Sequence, residues 1–567
     1  MKNIVILGAG TGGALVSNQL AQHLDPNEWQ ITVVDRARQH VYQPGLLFMP
    51  FGLYGYDKDE DISREIVDPL PRHARFVPGN VRLIDHANKR VETDKGSYSY
   101  DFLVSAMGCE LDLNAVEGLS EGMGGQGIHT FYSLNEAQQL RQALDGMTEG
   151  RLVIDICDMP VKCPVAPLEF AFLADFYFQQ KGVRDRIEIT LATPYAGAFT
   201  KPNANRVLSE IAERKGIKVV PHFTISSVDA GQRKIAAFDG SSLDYDLLVA
   251  IPPNVGPAVL DDSGLGDGNG FALTDPRTLK SKRADFIYCL GDNTNIATSK
   301  AGSVAHFGAE TVWKNILHEI GDRAPEASFD GHAPCFIESG YHKALLIDFN
   351  YDMEPLPGSF PMPHLGPFSL LKETHMNHLG KLAFKWVYWH MLLPGRLGNM
   401  PFVEAHMSFM GKQVDSTPQA RHASEMHVAE VMTRCVITVR QGSSLAEAAR
   451  TLVENRISGV PVMSTENKLI GILTEADFIA AMDISPGQVG GFFENVVRGG
   501  HARKHLGTIV DDLMTPDPYA VRPEDSLSKA IRLMDMYQIR RLPVTDDQDC
   551  IVGIVSRRDM MKMFAMK

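Results

Sequence analysis

A chain of 567 residues exceeds what one hydrophobic core organises, so three or four domains are expected. Its composition, 44% hydrophobic and 22% charged, is that of a folded globular protein, and a net charge of −14 argues against general nucleic-acid binding, which needs concentrated Lys and Arg. No apolar run reaches the roughly 18 residues of a membrane span, a glycine motif beginning at residue 8 leaves no room for a cleavable signal peptide, and seven scattered cysteines do not suit a secreted disulfide framework.

Residues 4–7, IVIL, predict a short buried strand, followed by the turn GAGTGG with Gly8, Gly10 and Gly13. ALVSNQLAQHL then has helical spacing, and ITVVD ends a second strand at Asp35. Such glycines let backbone N–H groups approach a pyrophosphate at a helix N-terminus, and the acid suits a ribose hydroxyl. The unit points to FAD or NAD. Two later stretches, YSYDFLVSAMG (98–108) and ADFIYCLGDN (284–293), each read as a strand ending in a turn. Together with the N-terminal unit they resemble the paired motifs of the two-dinucleotide-fold flavoproteins. That resemblance implies FAD, with Gly108 and Asp292 at the cofactor.

NAD(P)H-using members of that superfamily carry a second GxGxxG about where this chain has IDICDMPVKCPVAP. Pro160, Pro164 and Pro167 oppose a glycine-turn entry, and the next strand, IEITLATP, ends without an acid. A pyridine nucleotide is therefore not the expected donor. Cys163 instead stands before the helical stretch EFAFLADFYFQQ, and a helix N-terminus favours the nucleophilic thiolate form of a cysteine. The other reading of Cys163 is a small buried hydrophobe.

The CPxAPxE pattern resembles that of the sulfide:quinone oxidoreductases and the related flavocytochrome c sulfide dehydrogenases. The resemblance covers about residues 1–410 and implies a second cysteine across the flavin, matched by Cys335 in APCFIESG. It implies that sulfide opens a sulfur bridge, leaving a persulfide on one cysteine and a thiolate that reduces the flavin. By the same analogy Cys335 takes the flavin side and Cys163 captures sulfide, an order that the residues themselves do not fix. Glu169 matches an acid of the motif and implies a proton relay; a helix-dipole acid is the alternative. Lys300 is a candidate for the flavin N1–O2 edge, or else a solvated helix-end lysine. A third cysteine common among relatives has no match between residues 110 and 156, and Cys157 is expected to be packing.

Residues 358–397 read as a Pro/Gly-rich connector and two helical stretches dense in Leu, Phe, Trp and Met, with Leu382, Phe384, Trp386, Val387, Trp389 and Met391 flanked by Lys381 and Lys385. Too short and charged to span, this segment suits the membrane interface; a buried core or dimer helix is the other reading. The family resemblance implies a membrane quinone as acceptor, with Phe336 and Phe360 as contacts, and the cytosolic nucleotides expected at the C-terminal repeats place the protein on the cytoplasmic face of the membrane. A homo-oligomer is expected, and no metal site.

Residues 428–482 and 510–564 repeat one pattern at an offset of 82, aligning Met432 with Met514, Pro461 with Pro543, Gly471 with Gly553 and Asp477 with Asp559. The repeats resemble tandem CBS domains, which commonly bind adenosine nucleotides. GILTEAD and GIVSRRD match the ribose pattern, which implies Thr474, Asp477, Ser556 and Asp559 as contacts for AMP, ADP or ATP; helix capping is the alternative.

The expected fold is α/β: two Rossmann-like dinucleotide-binding domains of the flavoprotein disulfide reductase type, an amphipathic membrane-associating segment and a tandem α/β CBS pair. The expected divisions are 1–110 with 275–325 for FAD, 111–274 for the second domain without the NAD motif, and 326–415 for the extension. A linker (416–427), a first repeat (428–484), an inter-repeat loop (485–509) and a second repeat (510–567) follow. Rival readings are a type II NADH:quinone oxidoreductase, the flavoprotein subunit of a flavocytochrome c, and a non-catalytic redox sensor signalling through the repeats.

Overall fold

The computed structural model describes residues 1–361, 366–396, 406–408, 412, 427–434, 436–455, 457–480, 509–516, 518–536, 539–556 and 559. The expected linker (416–427) and inter-repeat loop (485–509), and Cys435, lie almost or wholly outside these residues. The chain forms two compact units, Met1–Val414 and Asp415–Lys567.

In the first unit, β1 (Lys2–Leu7) runs into α1 (Thr11–His23) and returns through β2 (Trp29–Asp35), with β3 (Arg75–Pro78) and β4 (Phe102–Ser105) added in parallel. The four central positions Ile4 to Leu7 are buried, as a strand covered on both faces by crossover helices requires. A second parallel sheet contains β5 (Ile128–His129), β6 (Gly150–Ile156), β7 (Ile187–Ala192), β8 (Ile217–Val220) and β9 (Leu247–Ile251), in the order β5-β9-β6-β7-β8. Between β6 and β7 runs α2 (Ala166–Gln180). It is buried on nearly every side, from Ala166 to Phe176, because it packs on β7 and on a later strand as well. This explains why its sequence is phenylalanine-rich rather than amphipathic.

The chain then rejoins the first sheet through β10 (Ile287–Cys289), giving the order β10-β4-β1-β2-β3. Residues Ile287–Cys289 thus join the sheet built by the N-terminal segment. After β10 comes α3 (Gly302–Ile320), packed along α1. A third sheet follows, from β11 (Cys335–Gly340), β12 (Lys343–Ile347), β13 (Gly358–Phe360) and β14 (Phe368–Leu370), in the order β11-β12-β14-β13. Against it lies α4 (His375–Val387), whose cap is the Thr374 hydroxyl accepting from Asn377 N–H.

The second unit repeats itself structurally. Helix α5 (Leu445–Glu454) and strands β15 (Gly459–Met463) and β16 (Leu469–Thr474) have counterparts in α6 (Leu527–Met536), β17 (Arg541–Thr545) and β18 (Ile551–Ser556). The copies exchange a side chain each. A Cβ on Gly471 would lie 2.4 Å from the Met514 sulfur, and one on Gly553 2.5 Å from that of Met432. Each repeat therefore buries a methionine of the other against its own glycine.

Candidate flavin and thiol site

Packing requires some of the glycines of the N-terminal turn, and open space surrounds others. Gly8 has φ +96°, and a Cβ there would lie 2.3 Å from the Ala106 carbonyl oxygen. One on Gly13 would lie 1.8 Å from the Gly8 carbonyl oxygen. Gly10 and Gly108 have no such neighbour within 4 Å. The turn thus closes on itself at Gly8 and Gly13 and leaves a glycine-bordered opening at Gly10, as a dinucleotide cradle requires. Asp35 sits at its mouth, accepting from Ala9 N–H at 2.6 Å and Ala37 N–H at 2.7 Å.

The second motif meets the first here. Leu290 N–H donates to Ser105 O, and the Asn293 amide donates to the Ser105 hydroxyl at 2.7 Å. Burial raises the carboxyl of Asp292, against the opposing pull of Lys162 and Lys300. The Lys300 ammonium donates to the carbonyls of Asp292 (2.8 Å) and Thr294 (3.0 Å) and stands 3.8 Å from the Phe271 ring centre. Two of its three hydrogens are engaged, leaving one for a ligand. Burial lowers its pKa. These residues fit FAD: Gly8, Gly10, Gly13 and Asp35 for the pyrophosphate and ribose, Gly108, Asp292 and Lys300 for the remainder.

Cys163 is bonded directly to this framework, its N–H donating to Lys300 O at 2.7 Å. Its φ of +50° is uncommon for a non-glycine residue and holds it out of α2, which begins three residues later. Cys163 and Cys335 are both free thiols, within hydrogen-bonding reach of each other. That contact and burial push the Cys335 thiol well above its ordinary value, while Lys381 acts to lower it. Both line one narrow cleft with Ser299, Ser303, Ala333 and Phe349, whose free volume of about 10 Å³ suits a ligand no larger than a water molecule. Cys157 is buried in a separate apolar cluster, as expected. A cleft of about 640 Å³ near Arg184, Arg214 and Lys215 is a different kind of place, its cations already paired with Asp175 and Glu373.

Glu169 lies deeper than the sequence implied. It is 2% exposed, forms an ion pair with Lys381 and accepts from Glu338 N–H at 2.5 Å. Burial raises its carboxyl, and Lys381 opposes the rise. This corrects the reading of Lys381 as a charged flank of a surface helix. It points inward, 8% exposed, with its ammonium also donating to Phe336 O at 3.1 Å. Its helix-mate His378, 4% exposed, bonds the Glu338 carboxylate through Nδ1 at 2.9 Å. Spacing places His378 and Lys381 on one face of α4, but nothing in the sequence says that the face holds charge. Phe336 and Phe360 both converge on Phe368, the first at 5.5 Å between ring centres and the second as its strand partner.

A further pairing was not legible in sequence. Beyond α4, Tyr388 OH lies 2.8 Å from the Thr11 hydroxyl of the glycine turn and 2.6 Å from His40 Nε2. His40 Nδ1 lies 3.0 Å from Ala9 O. Burial lowers His40 to about 4, so the ring is neutral at physiological pH. Asn18 and Gln19 of α1 donate to the carbonyls of Leu393 and Gly395.

In the second unit, the Thr474 hydroxyl and N–H both donate to Asp477 at 2.7 Å, and Ser556 does the same to Asp559 at 2.6 and 3.0 Å. The four ribose candidates thus form two equivalent hydroxyl–carboxylate pairs.

Residues 2–155 match the family described as pyridine nucleotide-disulphide oxidoreductase, and residues 428–484 and 510–565 match the CBS domain. The chain is 28% identical over 403 residues to the mitochondrial sulfide:quinone oxidoreductase of Dictyostelium discoideum, covering 69% of this chain and 86% of that one. With the mitochondrial sulfide:quinone oxidoreductase of Mus musculus it shares 26% over 410 residues, 70% of this chain and 88% of the other. The first unit is a homologue of the sulfide:quinone oxidoreductases, joined to a CBS pair. It is a flavin-dependent oxidoreductase. The solved sulfide:quinone oxidoreductase of Aquifex aeolicus shares the fold, with a TM-score of 0.59 at 21% identity over 70% of this chain and 92% of that one.

Proposed function

We propose that this protein oxidises sulfide to zero-valent sulfur through Cys163 and Cys335 and passes the electrons to a membrane quinone. The observation that carries the reading is the apposition of the two thiols in one cleft, with Cys163 hydrogen-bonded to the backbone of Lys300. Bound FAD supplies two-electron transfer between sulfur and quinone. In the oxidised enzyme the two cysteines are bridged. HS⁻ attacks one sulfur of the bridge, breaking the S–S bond and leaving a persulfide on Cys163 and a thiolate on Cys335. Lys381 is a cation that favours the Cys335 thiolate, and Ser303 supplies a hydroxyl in the cleft wall. The cleft's small volume favours HS⁻ over bulky thiols.

Quinone contact is assigned to Phe336 and Phe360 beside Phe368, and interface docking to α4, which exposes Met376 (46%), Leu379 (56%), Phe384 (37%) and Trp386 (60%). No described helix is long and apolar enough to cross a membrane. Docking is assigned to the cytoplasmic face, where an adenosine nucleotide could bind Thr474, Asp477, Ser556 and Asp559 and tune turnover. Titration calorimetry with AMP, ADP and ATP tests that assignment, and heat from none of them removes it. The reaction itself is tested by stopped-flow mixing of anaerobic protein with sulfide and then decylubiquinone. The flavin band should bleach and recover, and a Cys163→Ser variant should not bleach; unchanged absorbance of the native protein with sulfide rejects the reading.

A further inference from the structure

The quinone half of this reaction has a proton requirement that the sulfide half does not meet. HS⁻ yields S⁰, one H⁺ and two electrons, whereas a quinone takes two electrons and two H⁺ to become the quinol. One proton per turnover must therefore reach the quinone from solvent. The region around Phe336 is closed to bulk water: Glu169, Glu338, His378 and Lys381 are all under 9% exposed.

These buried groups nevertheless run as a line from the Phe336 backbone to the surface. Lys381 donates to Phe336 O and pairs with Glu169. Glu338 is electrostatically coupled to both Lys381 and Glu169 and gives Glu169 its backbone N–H. The Glu338 carboxylate holds His378 Nδ1 through both oxygens, at 2.9 and 3.1 Å. The His378 ring also meets the rings of Tyr54 at 4.7 Å and His342 at 5.6 Å between centres. His342 is exposed, in the turn between β11 and β12. The groups facing His378 are thus Glu338 from β11, Tyr54 from the N-terminal domain, His342 from the turn and Lys381 on its own helix. An imidazole held at one nitrogen by a carboxylate and in ring contact with a surface histidine stands between solvent and the buried acids, where it can pass protons inward.

We propose that His342, His378 and Glu338 form the proton-uptake relay that supplies the buried Lys381–Glu169 pair during quinone reduction. The inference rests on the quinone reading above, with Glu338 and His378 as relay residues rather than contacts of sulfide.

The test separates the two half-reactions in the flavin-loaded full-length protein. His378→Asn keeps a donor toward Glu338 and cannot carry a proton through the ring. Glu338→Gln keeps a partner for His378 and cannot accept one. Both should leave bleaching by sulfide unchanged and slow reoxidation by decylubiquinone at least tenfold at pH 8, with the pH profile of that step flattened and imidazole in the buffer restoring part of the rate. His342→Gln, at the exposed end, should give a smaller loss in the same step. Reducing the flavin with dithionite starts the second half-reaction without sulfide, so failure of the sulfide reading leaves this test intact. Wild-type reoxidation rates and pH profile in either buried variant overturn the relay. So does an equal slowing of both half-reactions, which marks a structural role.

Discussion

Asp155 is an acid whose burial is poorly compensated. It is wholly inside the apolar cluster on one face of β6, beside Cys157, and among the described residues neither carboxylate oxygen has a hydrogen-bond partner. Burial pushes its pKa up to about 7. The folded value lies above the unfolded one, so full stability is present below about pH 4 and is lost progressively up to about pH 7, above which the folded protein holds a charge in a dry core. Melting temperature should fall between about pH 4 and pH 7 in the native protein and level off above that. Asp155→Asn should remove much of that slope and add on the order of a few kcal/mol at pH 9. An unchanged slope in the variant would show that the acid is solvated.

The same scale shows how far side chains were legible in advance. Gly8, Gly13, Asp35 and Cys163 could be singled out because each belongs to a motif with local spacing, and local spacing survives folding, whereas Cys335 was named only through the family resemblance. Lys381 could not. Its neighbours in sequence are surface residues of a helix, and its partner Glu169 lies 212 positions away on α2. Tyr388 and His40 share that problem, being separated by 348 positions. Motifs state what a turn does, whereas an ion pair between distant helices depends on a packing that no window of sequence contains.

Among the elements, the glycine turn before α1 allows two effects to be separated. A Cβ at Gly13 collides with the Gly8 carbonyl, whereas one at Gly10 meets no protein atom. Gly13→Ala should therefore lower thermal stability and flavin content together. Gly10→Ala should retain the native melting temperature of the flavin-free protein and lose flavin, read from the ratio of flavin to protein absorbance. Helix α4 makes an equivalent distinction between its faces. Trp386→Glu and Leu379→Glu alter only exposed side chains, so melting should change little, by about 0.5 kcal/mol or less, while co-sedimentation with lipid vesicles should drop severalfold. The expectation of an amphipathic segment is met in the exposed stripe of α4, and its burial of charge on the opposite face is what the hydrophobicity pattern concealed.

For the whole molecule, two units with separate cores imply two cooperative events. Calorimetry should resolve two transitions, the larger one rising with added FAD and the smaller one indifferent to it. The repeats should not separate further, because Met432 and Met514 each fill the space over the other copy's glycine. Met514→Ala should therefore weaken the first repeat by about 2–5 kcal/mol although it lies in the second. The division into units was legible from the 82-residue repeat and from where the flavoprotein motifs stop. The swap of methionines was visible only as two aligned letters, since an alignment does not say which copy a side chain serves.

The hydrogen bonds from Tyr388 to the glycine turn, and from α1 to the carbonyls of Leu393 and Gly395, have a bearing on assembly. They fasten the segment after α4 to the glycine turn that precedes α1, while Lys381 fastens the middle of α4 to the cysteine strand. The helix surface bearing Leu379 and Trp386 is thus presented by the cofactor's own scaffold. Under the docking proposed above, flavin-free protein should co-sediment with lipid vesicles less than flavin-loaded protein, because the turn that the cofactor orders also holds the docking helix.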